Sequence, residues 1–489
     1  MAFLPTKSKQ LPTKFKQGIL VLTNQTVARS TFICQKYRLY IRGNSVFNMK
    51  KSTFPPGYNF FRSIERTIKQ VKNPIPTMEE SMARFNGTYS VNLGTRKLIA
   101  TQDPGFIDHV LKTNHKNYYK SPMLTEQLGK FLGNGLLTSN GEYWLKQRRL
   151  IQPGFHMDKI KALYDIIKKT VDDFLTKLPT GDEVDVYPLM NKLAFEIVIN
   201  TLFNVKVPEE SRKTLSGFIN ETQTFVVKDI RQPYLSWWYK LSGEVKKNLD
   251  HAEGARSIIR SIIKERKSSS EKYNDLLDML LDARYEDTGE PMDEERIIDE
   301  ILVLIIAGHE TTGNALSWTL YLLASHPEEL KKLKNETQNL SQDQCVKHDR
   351  LNAVVNEGMR LYPPAWISDR ISLQGDTYKD YAYPGGTILL LFYYGLHRDK
   401  KYWDNPDSFI PDRFLKQNID KEKQKAFYPF GAGPRLCIGN SFALAEMAIF
   451  LQAIVQGFNI EPTSIKPSIK PLVTLRPDQI FLKIKRSEN

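Results

Sequence analysis

Apolar and polar positions recur along this chain with two different periods, and the change of period divides it. Thr88-Tyr89-Ser90-Val91-Asn92-Leu93 and Lys97-Leu98-Ile99-Ala100 alternate with a spacing of two, the pattern of two half-buried strands joined as a hairpin. A helical stretch over residues 64–71 precedes them, and Asp103-Pro104 opens a helix with Phe106, Val110 and Leu111 on one face. This part reads as a small β-rich lobe. Residues 157–281 are mostly helical, with amphipathic runs such as Leu163-Tyr164-Asp165-Ile166-Ile167 and Ile258-Ile259-Arg260-Ser261-Ile262-Ile263. The charged stretch 264–272 is expected to be a solvated loop. Residues 294–323 make one long apolar helix, interrupted by Ala307-Gly308-His309-Glu310-Thr311-Thr312.

Composition and charge narrow the class. The three cysteines, Cys34, Cys345 and Cys437, have no paired spacing, which argues against a disulfide framework or a zinc site and fits a reducing, cytoplasmic setting. The formal net charge is +14, but residues 1–48 hold eight Lys or Arg and no acid, leaving about +6 for the rest. That remainder is no nucleic-acid signature. Residues 1–48 have no apolar run able to span a membrane. Their composition is that of a transit peptide, yet Met49-Lys50-Lys51 makes an equally good start. The expectation is a disordered or spurious basic extension over 1–48 and one large domain over 49–489.

The candidate chemistry centres on Phe430-Gly431-Ala432-Gly433-Pro434-Arg435-Leu436-Cys437-Ile438-Gly439. The small-residue apolar run 441–448 that follows has helical periodicity, so the Cys437 sulfur lies at a helix N-terminus, where backbone N–H groups favour a thiolate. Such a thiolate suits haem iron as an axial ligand. A lone cysteine is more often a buried structural residue. Here the whole pattern Phe-x-x-Gly-x-Arg-x-Cys-x-Gly is present, and it resembles the haem-binding signature of the cytochrome P450 family.

Other stretches follow in the family's order from Pro55 onward. Trp144 and Arg148 share a helix face; alone they are a packed indole beside a solvated guanidinium. With the Cys437 loop they resemble the family's propionate-holding helix, and Lys120 is a further candidate before it. Glu310 and Thr311 resemble the oxygen-activation segment: the resemblance implies that Thr311 hydrogen-bonds oxygen at the haem while Glu310 relays protons, with His309 a spectator. Back-bonding to the preceding turn is the plainer reason for one helical Thr. Glu357 and Arg360, with Arg413, resemble the structural network that supports the haem loop.

The resemblance implies a mainly α, single large domain with a minor β lobe. It implies haem b held by Cys437, with Phe430, Gly431 and Arg435 of the loop and Trp144 and Arg148 beside it. It also implies a monooxygenase that uses O2 on a small organic substrate. Electrons would come from a separate partner, a ferredoxin with its reductase or a similar donor, with Lys146 and Arg149 as docking cations. A haem sensor or carrier without turnover is the reading of another class, and a haem isomerase or dehydratase a further one; the Glu310-Thr311 pair argues against both. A lipid-like substrate is slightly favoured, with O-demethylation of a methylated sugar, releasing formaldehyde, as the alternative. The cluster Tyr234-Leu235-Ser236-Trp237-Trp238-Tyr239 leaves open gating, lipid contact, sugar stacking or plain core packing.

Overall fold

The period-two stretch forms the expected hairpin. Strand β2 (Thr88–Asn92) pairs antiparallel with β3 (Lys97–Thr101), with Thr88 opposite Thr101 and Val91 opposite Leu98. The hairpin lies in a six-stranded sheet with β1 (Gly57–Tyr58), β4 (Tyr118–Tyr119), β5 (Ser368–Ser372) and β6 (Ile388–Leu391), in the order β1-β2-β3-β6-β5-β4. One edge of the hairpin therefore accepts a strand from almost 300 residues downstream. The structure, a computed structural model, describes residues 53–487 apart from 70–72, 95–96, 206, 270, 274 and 419. The basic extension over 1–48, Cys34 and Val71 lie outside these residues.

The helices used below are α1 (Phe60–Lys69), α2 (Gly141–Ile151), α3 (Val186–Phe203), α4 (Glu209–Arg231), α5 (Ser236–Leu241), α6 (Glu244–Ser268), α7 (Glu294–Ser325), α8 (Asp349–Leu361) and α9 (Asn440–Gly457). The long apolar run forms α7, whose start is fixed by the Asp293 carboxylate accepting the Arg296 N–H at 3.0 Å, with Glu294 and Glu295 in the positive first turn. At 32 residues it spans about 48 Å, and its neighbours pack around it in one apolar core. Helix α3 crosses it closely because Gly308 and Gly313 carry no side chain: a Cβ on Gly308 would come within 2.9 Å of Val198 Cγ2, and one on Gly313 within 2.8 Å of Asn191 Oδ1.

Two local expectations change. The helix opened by Asp103, whose carboxylate accepts the Phe106 N–H at 3.0 Å, is α-helical only over Pro104–Asp108 and widens into a π-helix over His109–Thr113. Its expected face, Phe106, Val110 and Leu111, is buried. Residues 264–268 are the last turn of α6 instead of a loop. Arg266 there is buried and donates to Asp275 at 2.9 Å and Asp278 at 2.6 Å, so its charge is spent inside the protein and the helix continues past it. A run of charged letters hides such pairing.

Candidate active site

Helix α9 begins three residues after Cys437, with Gly439 as its N-cap. The preceding loop folds back on itself: the Cys437 N–H donates to the Phe430 carbonyl at 3.0 Å. Gly431 and Gly433 hold φ of 71° and 67°, a region that favours glycine. A Cβ on Gly433 would lie 1.9 Å from the Leu111 carbonyl oxygen, so the loop is pressed against the π-helix. Cys437 has accessible surface although it sits deep in the fold, and burial pushes its thiol up. The Gly439 N–H and the Arg148 guanidinium pull it down. The sulfur therefore faces an internal cleft with positive groups at its back. Cys345, by contrast, is buried with its thiol pushed up to about 11.

The loop rests on a scaffold built by α8. Glu357 and Arg360 are fully buried and joined by two hydrogen bonds, at 2.7 and 2.8 Å, and Arg413 reaches Glu357 at 3.3 Å. Arg360 also donates to the carbonyls of His397 (2.8 Å) and Pro406 (2.7 Å). The His397 ring, its pKa depressed to about 3 chiefly by burial, accepts the Tyr428 N–H at 2.9 Å through Nε2. Tyr428 lies two residues before Phe430. The pair thus holds the loop through His397.

Four cations crowd the other side. Arg435 stacks on the Trp144 ring, 4.0 Å from guanidinium carbon to ring centre, and donates to Asn140 Oδ1 at 3.1 Å. Lys120 is buried and donates to the Leu136 and Leu137 carbonyls at 2.7 and 2.8 Å. Burial, Arg435 and Arg370 hold the Lys120 ammonium well below the usual range. Burial and Arg370 bring Arg435 down to about 10. Arg148 turns towards the loop and donates to the Leu436 carbonyl at 2.9 Å and to Gln152 at 3.1 Å. None of Lys120, Arg148, Arg370 or Arg435 forms an ion pair among the described residues. The carboxyls of Asp369 and Glu300 lie near Lys120 without forming an ion pair with it, and cations left unpaired in this way fit an anionic ligand. The glycine loop and the thiol fit a flat metal-bearing one. These residues would suit haem, whose propionates Lys120, Arg370 and Arg435 could take and whose iron Cys437 could bind.

Across the cleft, Ala307 is exposed and Thr311 partly exposed on one face of α7, whereas His309 and Glu310 are buried on other faces. The Thr311 hydroxyl donates to the Ala307 carbonyl at 2.6 Å, which leaves its oxygen lone pairs free to accept. Burial pushes the Glu310 carboxyl up, opposed by hydrogen bonds from Thr474 and Gln223 and by the charge of Arg476. Burial brings His309 down to about 4, so it is neutral near pH 7. Ala365 is exposed beyond the Pro363-Pro364 break. Arg370, Gln223, Thr474 and Arg476 are additions that the sequence did not suggest; only Arg370 lay near a recognised motif.

The residues 55–484 match the sequence model of the cytochrome P450 family. The chain belongs to that family. It is a cytochrome P450 monooxygenase, a haem-thiolate oxidoreductase that binds iron protoporphyrin IX. Its relatives include a cyclooctat-9-en-7-ol 5-monooxygenase of Streptomyces melanosporofaciens, 28% identical over 78% of this chain and 84% of that one. A taurochenodeoxycholic 6 alpha-hydroxylase of Sus scrofa is 27% identical over 80% and 83%. The fold matches the crystal structure of a cytochrome P450DA heme domain with a TM-score of 0.79 at 22% identity, covering 90% of this chain and 99% of that one.

The remaining candidates lie outside the P450 cleft. Lys146 pairs with Asp287 at 2.5 Å, and with Arg149 it lines a surface groove of about 770 Å³ that contains none of the cleft residues. Trp237 and Trp238 are about half exposed at the surface, while Tyr239 is buried.

Proposed function

We propose that this P450 hydroxylates a C–H bond of an apolar, lipid-like molecule, with electrons from a separate donor such as a ferredoxin. The observation that carries the substrate class is the face of α7 turned to the cleft: a methyl at Ala307 and a single hydroxyl at Thr311, with Glu310 and His309 turned away. Burying an alkyl chain or terpene skeleton against such a face yields roughly 25 cal/mol per Å², whereas a sugar would leave its hydroxyls without partners. The two relatives named above, whose names specify a cyclooctatenol and a bile acid, are consistent with this reading.

The haem supplies the redox chemistry with O2; the protein positions it and manages protons. In this reading Cys437 would bind the haem iron as a thiolate, held in place by the Phe430 and Gly431 end of the loop and by Arg148. Lys120, Arg370 and Arg435 bind the propionates, and Trp144 keeps the Arg435 fork in place. Thr311, its hydroxyl hydrogen given to the Ala307 carbonyl, would accept a hydrogen bond where oxygen is to be activated. Glu310 is kept protonatable by burial and supplied through Thr474 and Gln223, and it delivers the proton. Charge reversal at Arg149, which has no ion pair among the described residues, slows reduction by the donor at low salt; Lys146, tied to Asp287, matters less.

The test is a spectral titration of the ferric protein with fatty acids, terpenoids and methylated monosaccharides. Substrate that binds beside the haem would shift the Soret band. A shift with fatty acids or terpenoids, followed by a hydroxylated product, supports the proposal. A shift confined to methyl sugars, with formaldehyde released, overturns it.

A further inference from the structure

Two adjacent carboxylates on α7 clasp a loop whose other side meets the cations of the haem site. Asp299 accepts the Asn134 N–H at 2.8 Å, and Glu300 accepts the Leu136 N–H at 2.9 Å. The fit is close: a Cβ on Gly133 would run into the Asp299 carboxylate, and one on Gly135 would come within 3.2 Å of Glu300 Oε2. The carbonyls of Leu136 and Leu137 turn the other way and accept from the Lys120 ammonium. Asn140 Oδ1, at the end of the loop, accepts the Lys120 N–H at 3.0 Å and the Arg435 guanidinium at 3.1 Å. Leu136 therefore has Glu300 at its N–H and Lys120 at its carbonyl.

The two carboxylates are not equivalent. Asp299 pairs with Arg256 of α6 at 2.7 Å. Glu300 is 1% exposed and has no ion pair among the described residues, and its Oε1 is buried without a hydrogen-bond partner there. A buried carboxylate satisfied on one oxygen only holds its charge at a cost. Burial pushes the Glu300 carboxyl up to about 7, opposed by the Leu136 N–H, raised further by Asp299 and opposed again by the charge of Lys120. The other ionisable groups that face this cluster are Tyr143 of α2, Asp369 and Arg370 of β5, and Arg435. Asn134 is exposed, so water reaches the loop packed against Glu300.

Reduction by the donor makes the haem one charge more negative. A negative charge added beside Lys120 draws on the same cation that favours the Glu300 carboxylate, and it raises the proton affinity of that carboxylate. Linkage is reciprocal, so a proton on Glu300 makes the electron easier to add.

We propose that Glu300 takes up one proton from solvent as the haem iron takes up one electron from the donor, its carboxylate becoming a carboxylic acid, so that the added charge is balanced inside the protein. Glu300 acts through the 133–140 loop and Lys120. The inference rests on the placing of the propionates beside Lys120 proposed above.

The experiment is a potentiometric titration of the substrate-free holoprotein from about pH 5.5 to 8.5, for wild type, Glu300→Gln and Asp369→Asn, together with reduced-minus-oxidised infrared difference spectra. Glu300→Gln keeps an acceptor for the Leu136 N–H and cannot titrate. Expected for the wild type is a midpoint potential that falls as pH rises through neutrality. A roughly tenfold firmer hold on the proton in the reduced protein corresponds to about 59 mV between the acid and alkaline plateaus. The carbonyl band of a protonated carboxyl should grow on reduction. Both signals should vanish in Glu300→Gln, with haem retained, and persist in Asp369→Asn. A wild-type potential that is flat over this range overturns the proposal without any variant. So does a slope that survives undiminished in Glu300→Gln, or one that vanishes only in Asp369→Asn. Failure of the propionate placing is read separately, as unchanged haem retention in Arg435→Ala and Arg370→Ala.

Discussion

Arg435 is stacked on Trp144, and burial with the nearby Arg370 makes its charge harder to keep, a cost that an anionic partner would offset. The prediction is specific to that reading. Arg435→Ala or Arg370→Ala should let the haem dissociate roughly tenfold or more faster to a haem-accepting protein, because the propionates lose a partner. Unchanged retention in both variants would remove the propionate assignment. Thr311 gives a second test. Thr311→Ala should keep the haem but remove the hydroxyl one turn from Ala307 on α7, so product per electron consumed should fall about tenfold or more while peroxide rises. Equal coupling in wild type and variant would leave Thr311 as nothing more than the back-bond to Ala307.

At the scale of elements, glycines set how closely the pieces approach, and they are not equivalent. A methyl on Gly433 would meet the Leu111 carbonyl oxygen at 1.9 Å, on a backbone at φ 67°. A methyl on Gly308 would meet only the tip of Val198, at 2.9 Å. Gly433→Ala should therefore yield protein without bound haem. Gly308→Ala should fold with haem and lose about 1–3 kcal/mol, read as a lowered Tm. The reverse ranking would contradict this account of the loop.

The same contrast explains what was legible in the sequence. The Cys437 loop, the 88–101 hairpin and α7 are written in consecutive residues, so period and motif reveal them. Arg370 lies on β5 and approaches Lys120 and Arg435 only because the sheet brings residues 119 and 371 together. Gln223 and Thr474 reach Glu310 from α4 and from the residue before a late strand. Arg148 satisfies the helix-face argument that selected it, yet its Nη1 goes to Leu436. Arg266 read as solvated because its partners Asp275 and Asp278 follow after the helix has ended. Local order carries local chemistry; partners that depend on the fold stay hidden.

For the whole molecule, two buried histidines tie stability to pH. His397 and His309 titrate near 3 and 4 in the folded protein, depressed mainly by burial, against 6.5 in an open chain. Between these values the unfolded chain binds more protons, so stability rises with pH; it is fully present above about 6.5 and is lost as pH falls. By pH 5 each histidine should have cost roughly 2 kcal/mol. Thermal unfolding between pH 5 and 7.5 should show a falling Tm on the acid side, flattened in part by His397→Gln, whose carbonyl can still accept the Tyr428 N–H. A Tm that is flat over this range would contradict the buried, neutral assignment.

The central claim is that Cys437 binds haem iron as a thiolate. The most direct measurement is the carbon monoxide difference spectrum of the reduced protein, taken for wild type and Cys437→Ser. The account predicts, for the wild type, the long-wavelength Soret band that a thiolate ligand imposes. It also predicts loss of that band in Cys437→Ser, with the haem shifted to shorter wavelength or released. The same band in both proteins, or its absence from the wild type with haem bound, would contradict it.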